Sequence, residues 1–344
     1  MIYMKYLIKK TFFLFLIFSL PLGKGWGWAQ EYKVKFGSVI PKDSPWETGV
    51  KEYTKEAESK AGGRLLFKMY LAGMLGGEVE MIKSISMGTL DAGAFSTASI
   101  AEALSMPELQ VFEMPFLFNS DEEADAVMDA MFDKMSELLL KKNVVLIMWG
   151  TNGWRSFGTK SKAVTKPSDL KGMKMRAQES AVYENFLKSL GATPVPIATP
   201  DVLVSLKTGM VDGFDQTPIF SVSTGWITAV KNFTVTKHIY QPGAVLLSKK
   251  FYDKLPDDLK KVILASDKRK ELQVKSRAAV RKDDEEVLAN LSKNFGTKVV
   301  TLNEQQRGEF KKATQSVYTN LEPKIGKEIM QMVNGEIAKF RGKK

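Results

Sequence analysis

From residue 32 to residue 248 the chain switches repeatedly between a two-residue and a 3.6-residue apolar period, the mark of strands alternating with helices. Residues 32–40 alternate like a strand, and residues 45–61 put Trp46, Val50, Tyr53 and Ala57 on one helical face. A strand is expected at 65–71. Gly76-Gly77-Glu78 then opens a helix to Met87 with an acid in its first turn, where the helix dipole favours it. Residues 90–95 predict another strand and 121–141 one long helix. Residues 144–150 (VVLIMWG) form an unbroken apolar run, as expected of a strand buried on both faces. The alternation predicts an α/β layer architecture with a largely parallel sheet.

A second unit is expected from Gly153. Strands are predicted at 154–159, 173–177, 193–197 and 211–215, with helices at 179–190 and 200–208 between them. Residues 244–248 read as a strand returning to the first unit. Between 256 and 294 the only breaker is the leading Pro256, which predicts one helix about 60 Å long at 1.5 Å per residue. Such a helix must lie across both units; two helices joined by an unmarked bend near Ser266 are the alternative. The expected division is domain I at 30–152 plus about 242–262, and domain II at 153–241 plus about 280–344.

The first residues change the picture of where the chain works. Lys5, Lys9 and Lys10 precede a 12-residue apolar run at 11–22, and Gly27-Trp28-Ala29 offers small residues at a cleavage site. A secretory signal cut after Ala29 is expected, because 12 residues fall short of the roughly 20 that span a bilayer. The chain has no cysteine, so disulfides, thiolate metal sites, thiol catalysis and lipidation at an N-terminal cysteine are excluded. A formal net charge of +11 could suit an acidic ligand, a nucleic acid or an anionic membrane. The lysines alternate with acids along predicted helices and no nucleic-acid-reading motif occurs, so nucleic acid is not an expected partner. Asp283-Asp284-Glu285-Glu286 reads as a solvated helix face.

Catalytic groups are few. His238 is the single histidine, which leaves no two-histidine zinc site, and the GxSxG, GxGxxG and Walker A patterns are absent from the expected mature chain. No metal and no cofactor are expected. The binding candidates fall near predicted segment ends, where open α/β sheets hold their ligands. Arg176 stands out, since only eight of the 50 basic residues are arginine. A guanidinium holds a carboxylate through two parallel hydrogen bonds, which an ammonium cannot do. The plain alternative for Arg176 is a salt bridge to a local acid. Arg155 follows the expected domain junction at 151–154, and Asp215-Gln216 closes a predicted strand. Trp46, Phe95, Trp154, Phe214 and Phe220 lie close to the same junctions, with core packing as the alternative for each.

Several segments together resemble one family. They include Gly76-Gly77-Glu78 with Met81-Ile82-Lys83, Met87–Gly93 (MGTLDAG), Met114–Phe118 (MPFLF), Trp149–Arg155 (WGTNGWR), Ser168–Arg176 (SDLKGMKMR), Leu206–Gly213 (LKTGMVDG) and Thr236–Ile239 (TKHI). In this order they resemble the extracytoplasmic solute-binding proteins of TRAP transporters, the DctP family. The resemblance implies a two-domain periplasmic binding protein-like fold with a hinge and a helix spanning both domains. It also implies a periplasmic, non-enzymatic receptor that closes on a small organic acid. A permease with small and large membrane subunits, driven by an ion gradient, would be its partner. By the same resemblance Arg176 grips the ligand carboxylate, Arg155 is a second basic residue of the site, and Glu78 lines the first domain's side. Asp215-Gln216 departs from the Glu-Asn pair of many relatives and would reshape the pocket. A solute receptor of another transporter class, or an exported enzyme acting on a carboxylate, are the other readings.

Overall fold

The computed structural model describes residues 30–264 and 266–342. The expected signal and its cut after Ala29 lie outside the described residues. Among those residues nine strands form one sheet: β1 (Tyr32–Ser38), β2 (Leu65–Tyr70), β3 (Ala92–Ser96), β4 (Val144–Thr159), β5 (Lys174–Ala177), β6 (Thr193–Pro196), β7 (Gly213–Gln216), β8 (Asn232–Ser248) and β9 (Lys298–Thr301). Their order is β2-β1-β3-β8-β4-β7-β5-β6, with β9 on β8.

The sheet is mixed, which corrects the largely parallel expectation. β2, β1 and β3 run parallel to one another, as do β6, β5 and β7. The two groups are joined through β8 and β4, which are antiparallel to each other and to the strands they receive. The apolar runs at 144–150 and 244–248 proved to be only parts of these long strands. β4 and β8 cover 16 and 17 residues and pass through the predicted domain junction without ending. At one end β8 carries β3 through Gly243–Leu247, and at the other β4 carries β7 through Ser156–Thr159. Between these ends the ladder slips register between Thr151 and Gly153, where Gly153 takes a φ of 93°. A bulge at that point bends both strands.

The helices form where local chemistry asks for them. Ser44 caps the helix Pro45–Lys60 by accepting from the Glu47 N–H, Pro45 sits in its first turn, and Trp46, Val50, Tyr53 and Ala57 are buried. The helix Glu78–Met87 starts as predicted and stops at Gly88, with a φ of 75°. The predicted helix at 121–141 is interrupted. Met131 leaves helical geometry at φ −88° and ψ 0°, dividing it into Asp121–Ala130 and Phe132–Leu140. Phe132 there meets Trp149 edge-on at 6.1 Å.

The helix Ser266–Phe295 has 30 residues, about 45 Å, and the helix Asp257–Leu264 precedes it. Position 265 lies outside the described residues. The long helix packs along β4 and against the helices Pro45–Lys60 and Pro218–Ser223. Gln273 accepts from the Trp149 N–H at 2.9 Å, where a bulge between Leu146 and Met148 frees that donor from the ladder. Gln273, Arg277 and Arg281 recur every fourth residue and face Asp121, Asp125 and Asp129, which recur likewise. Farther along, Asp284 accepts from the Ile219 N–H at 2.8 Å at the start of the helix Pro218–Ser223. That corrects the reading of Asp284 as solvated: burial pushes its carboxyl up to about 7.

Candidate ligand-binding site

Arg176 lies on β5, between the parallel neighbours Val195 of β6 and Phe214 of β7. The strand is covered on both faces, so Met175, Arg176 and Ala177 are all buried, Arg176 to 1 % exposure. Its Nε donates to the Ile197 carbonyl at 3.0 Å, and its guanidinium lies 5.2 Å from the centre of the Trp226 ring. Nη1 is buried without a hydrogen-bond partner, and among the described residues no carboxylate stands at ion-pair distance. Burial, and the neighbouring positive charge of Arg155, push its pKa down to about 10. The local salt bridge that would have explained this arginine is not there.

Arg155 is placed quite differently. It lies inside β4 and is fully buried. Nε donates to Asp215 Oδ2 at 2.8 Å, Nη2 to the Asp215 carbonyl, and Nη1 to Gln178 Oε1 at 3.0 Å and Gln241 Oε1 at 2.9 Å. Its plane stacks 4.2 Å from the centre of the Tyr183 ring. Burial alone would raise the pKa of Asp215, but Arg155 and His238 outweigh it and hold the carboxyl well below the usual carboxylate range. Burial pushes His238 down, and its ring is stacked between Phe157 and Phe186 at 4.5 Å from each. The neutral ring donates from Nε2 toward Asp215 and accepts at Nδ1 from the Thr236 hydroxyl at 2.6 Å.

A buried polar network joins this pair to the other group of strands. The Gln178 amide donates to Glu78 Oε2 at 3.2 Å, Ser96 Oγ at 2.5 Å and Ser99 Oγ at 2.9 Å, while its oxygen accepts from Arg155 and from Gln241 at 2.8 Å. Glu78, the first residue of its helix, also accepts from the Ser96 N–H at 2.8 Å and the Ser99 hydroxyl at 2.9 Å. Its pKa is raised because burial outweighs those donors. Tyr183 donates to Glu113, which accepts in addition from the Ala98 N–H at 2.6 Å. Gln178→Met is expected to cost about 1–3 kcal/mol by stranding these buried groups, read as a lower urea midpoint with an unchanged slope.

Beside Glu78 a cavity opens over β3, β4 and β8, between the helix Pro45–Lys60 and the long helix. Trp46, Phe95, Ser96, Glu78 and Phe220 line it; Arg176 does not. Phe220 stands edge-on to Trp226 at 5.6 Å, so the wall of the cavity backs onto the ring that carries the Arg176 guanidinium.

The sequence profile of the bacterial extracellular solute-binding proteins, family 7 (DctP), matches residues 36–324. The chain belongs to this family. The chain is also similar to a solute-binding protein of Verminephrobacter eiseniae, 30% identical over 285 residues, which are 82% of this chain and 82% of that protein. Among solved structures the fold is similar to the sugar acid binding protein DctPAm of Advenella mimigardefordensis in complex with galactonate. The TM-score is 0.85 and the identity 27%, over 90% of this chain and 99% of that one. A TRAP periplasmic solute binding protein of Sulfurospirillum deleyianum with bound succinate gives a TM-score of 0.82 at 25% identity, over 89% and 99% of the two chains. The two-domain binding-protein fold with a spanning helix is therefore established, as is the role of a TRAP solute-binding protein. Its relatives are solute-binding proteins, not enzymes.

Of the residues singled out in the sequence, the structure gathers Trp46, Phe95 and Glu78 around one cavity and locks Arg155 onto Asp215. Trp154 goes elsewhere. Neighbours on a strand point to opposite faces, so the residue before Arg155 turns away, packs on Tyr240 at 5.2 Å and lines a separate cavity with Asp121, Lys237 and Asp284. Gln216 folds back to accept from the Thr217 N–H at 2.8 Å. Gln178, Tyr183, Gln241 and Glu113 were missed. Gln178 could have been found, since it follows Arg176 by two residues; Glu113 and Gln241 meet across 128 residues with no local signal.

Proposed function

We propose that this chain is an exported, periplasmic receptor that captures a small organic acid and delivers it to a TRAP permease of small and large membrane subunits. The observation that carries the ligand class is Arg176, a buried guanidinium with an unpartnered Nη1 and, among the described residues, no carboxylate at ion-pair distance. Leaving a charge in that state costs several kcal/mol, and a ligand carboxylate removes the cost. The reading is supported by the solved relatives, whose bound galactonate and succinate both carry a carboxylate. Arg155 acts as the electrostatic neighbour that keeps Arg176 short of compensation. The two lobes, with the boundaries expected from the sequence, turn about the bulged stretch of β4 and β8 near Gly153, and ligand contacts on both sides favour closure. Among the described residues no helix is long and apolar enough to cross a membrane, and no acid–histidine group could hold a metal ion.

Thermal shift with a panel of carboxylic acids, each matched to its amide, tests the reading. A cognate acid at 100 times its Kd is expected to add about 2.7 kcal/mol, or roughly 4 °C. Its amide should add nothing. Equal shifts from an acid and its amide would remove the carboxylate from the reading.

A further inference from the structure

Asp284 has no part in the proposed capture of the acid, yet it stands where the long helix passes from one lobe to the other. Before it, Gln273, Arg277 and Arg281 hold that helix to the Trp149 N–H and to the acids of the helix Asp121–Ala130. Lys275 pairs with Glu52 of the helix Pro45–Lys60 at 2.8 Å. All of these partners belong to the first lobe. Three residues after Arg281, Asp284 Oδ1 instead accepts from the Ile219 N–H of the second lobe at 2.8 Å. Its Oδ2 lies against the hinge: a Cβ at Gly153 would stand 3.9 Å from it and 3.8 Å from the Thr217 methyl.

Ile219 belongs to the six-residue helix Pro218–Ser223, which reaches back to the first lobe. Its Phe220 meets Trp46 edge-on at 5.7 Å and Trp226 at 5.6 Å. At the start of that helix Pro218 has no N–H, and the Phe220 N–H is met by Thr217 Oγ1 at 3.3 Å. The Ile219 N–H is the donor left for a partner from elsewhere, and Asp284 supplies it. The carboxyl is partly buried, in a cavity shared with Trp154, Ser156 and Leu288. The charged groups facing it are Lys237 on β8, Asp121 on the helix Asp121–Ala130, and Arg281 and Glu285 on its own helix. Lys237 and Glu285 are exposed, and Arg281 is engaged by Asp121 and Asp125 at 3.1 and 2.8 Å. Among the described residues no cation stands at ion-pair distance from Asp284.

We propose that Asp284 is a latch on the hinge: lodged between the Gly153 bulge and the first turn of the helix Pro218–Ser223, its carboxyl ties the second lobe to a helix anchored on the first. Protonation sets the latch. Burial, with the nearby charges of Asp121 and Glu285, disfavours the ionised carboxyl here and brings it to about 7 from the ordinary 3.8. Turning the lobes about Gly153 withdraws Ile219 and Thr217 and lets water reach the carboxylate, which favours the ionised form. The arrangement seen here is therefore favoured at acid pH, and the advantage is lost as pH rises through about 7. The inference rests on the proposed turning of the lobes and not on the identity of the ligand.

A chain without cysteine takes a pair of spin labels cleanly. Met74→Cys and Val204→Cys suit them, because both residues are 64 % exposed. They flank segments that meet across the mouth of the cleft, where a Cβ at Gly73 would stand 2.7 Å from Pro200 Cγ. Electron–electron distance measurement on the labelled protein is expected to show one short separation at pH 5.5 and an added longer one at pH 8.5. The short-to-long ratio should fall about tenfold between them. Burial also raises the pKa of Glu78, Glu113 and Glu179, so Asp284→Asn in the labelled protein isolates the latch. Its amide oxygen still accepts from Ile219 and does not titrate, and the short separation should persist at both pH values. Asp284→Ala leaves that N–H unmet and should show the longer separation at both. One separation at both pH values with Asp284 in place overturns the latch, as does a pH response that survives Asp284→Asn. So does an Asp284→Ala protein that keeps only the short separation. Melting shifts with acids and their amides on the same preparations keep the carboxylate reading apart: an acid that shifts the melt more than its amide leaves that reading standing whatever the latch does.

Discussion

Replacing Arg176 with methionine is expected to raise the melting temperature of the ligand-free protein by roughly 2–6 °C while abolishing carboxylate binding. The two effects have one origin. The guanidinium is buried to 1 % exposure, holds one carbonyl through Nε and leaves Nη1 without a partner. The contact with Trp226 returns only about 0.5–2 kcal/mol. A desolvated ion held so loosely costs more than it contributes, and methionine fills much of the same volume with no charge to desolvate. With ligand present the balance reverses, because removing one partner of a buried pair costs about 3–5 kcal/mol, or two to three and a half decades in Kd. Arg176→Lys should keep the charge yet bind at least about tenfold more weakly, for want of the planar fork. Scanning calorimetry and titration of the same preparations decide the matter. A variant that melts several degrees lower and binds normally would make Arg176 a structural residue.

What the sequence could and could not disclose follows from the range of the forces involved. The helix Pro45–Lys60 is written locally, in Ser44, Pro45 and the spacing of Trp46, Val50, Tyr53 and Ala57, and it forms as read. Arg176 was conspicuous because a lysine-rich chain spent an arginine inside an apolar strand. The long strands were less legible. Bulges in β4 break the alternation on which strand reading depends, so one strand of 16 residues looked like two with a junction between. Arg155 was read as lying at that junction, and its neighbour Trp154 as sharing its pocket. Once both belong to one strand, the alternation of side chains sends them to opposite faces. The acids were the least legible, since a carboxylate is solvated or buried according to what arrives from elsewhere. Asp284 meets the Ile219 N–H, and Asp121, Asp125 and Asp129 meet the arginines of a helix more than a hundred residues away.

Replacing Arg155 with methionine should have the opposite sign to the Arg176 change and a larger size. It leaves Asp215 fully buried, its Oδ1 already without a partner and its Oδ2 with only His238. The cost of such an orphaned charge is about 3–5 kcal/mol, or roughly 5–8 °C. Asp215→Asn should lose less, because Gln178 and Gln241 still accept from Arg155. The pH dependence is fixed by the direction of the Asp215 shift. Its folded pKa lies below the ordinary 3.8, so its contribution is complete above that value and disappears as pH falls through the folded pKa. The stability gap between the unmodified protein and Asp215→Asn should therefore be flat near neutrality and close below about pH 4 in acid-unfolding experiments. The double change Arg155→Met with Asp215→Leu removes both charges together, and most of the lost stability should return. That double variant also decides how Arg155 serves the ligand. It leaves the net charge beside Arg176 unchanged, so a bracing Arg155 predicts an affinity within about tenfold of the unmodified protein, whereas complete loss of binding in a folded double variant would place the Arg155 guanidinium against the ligand itself.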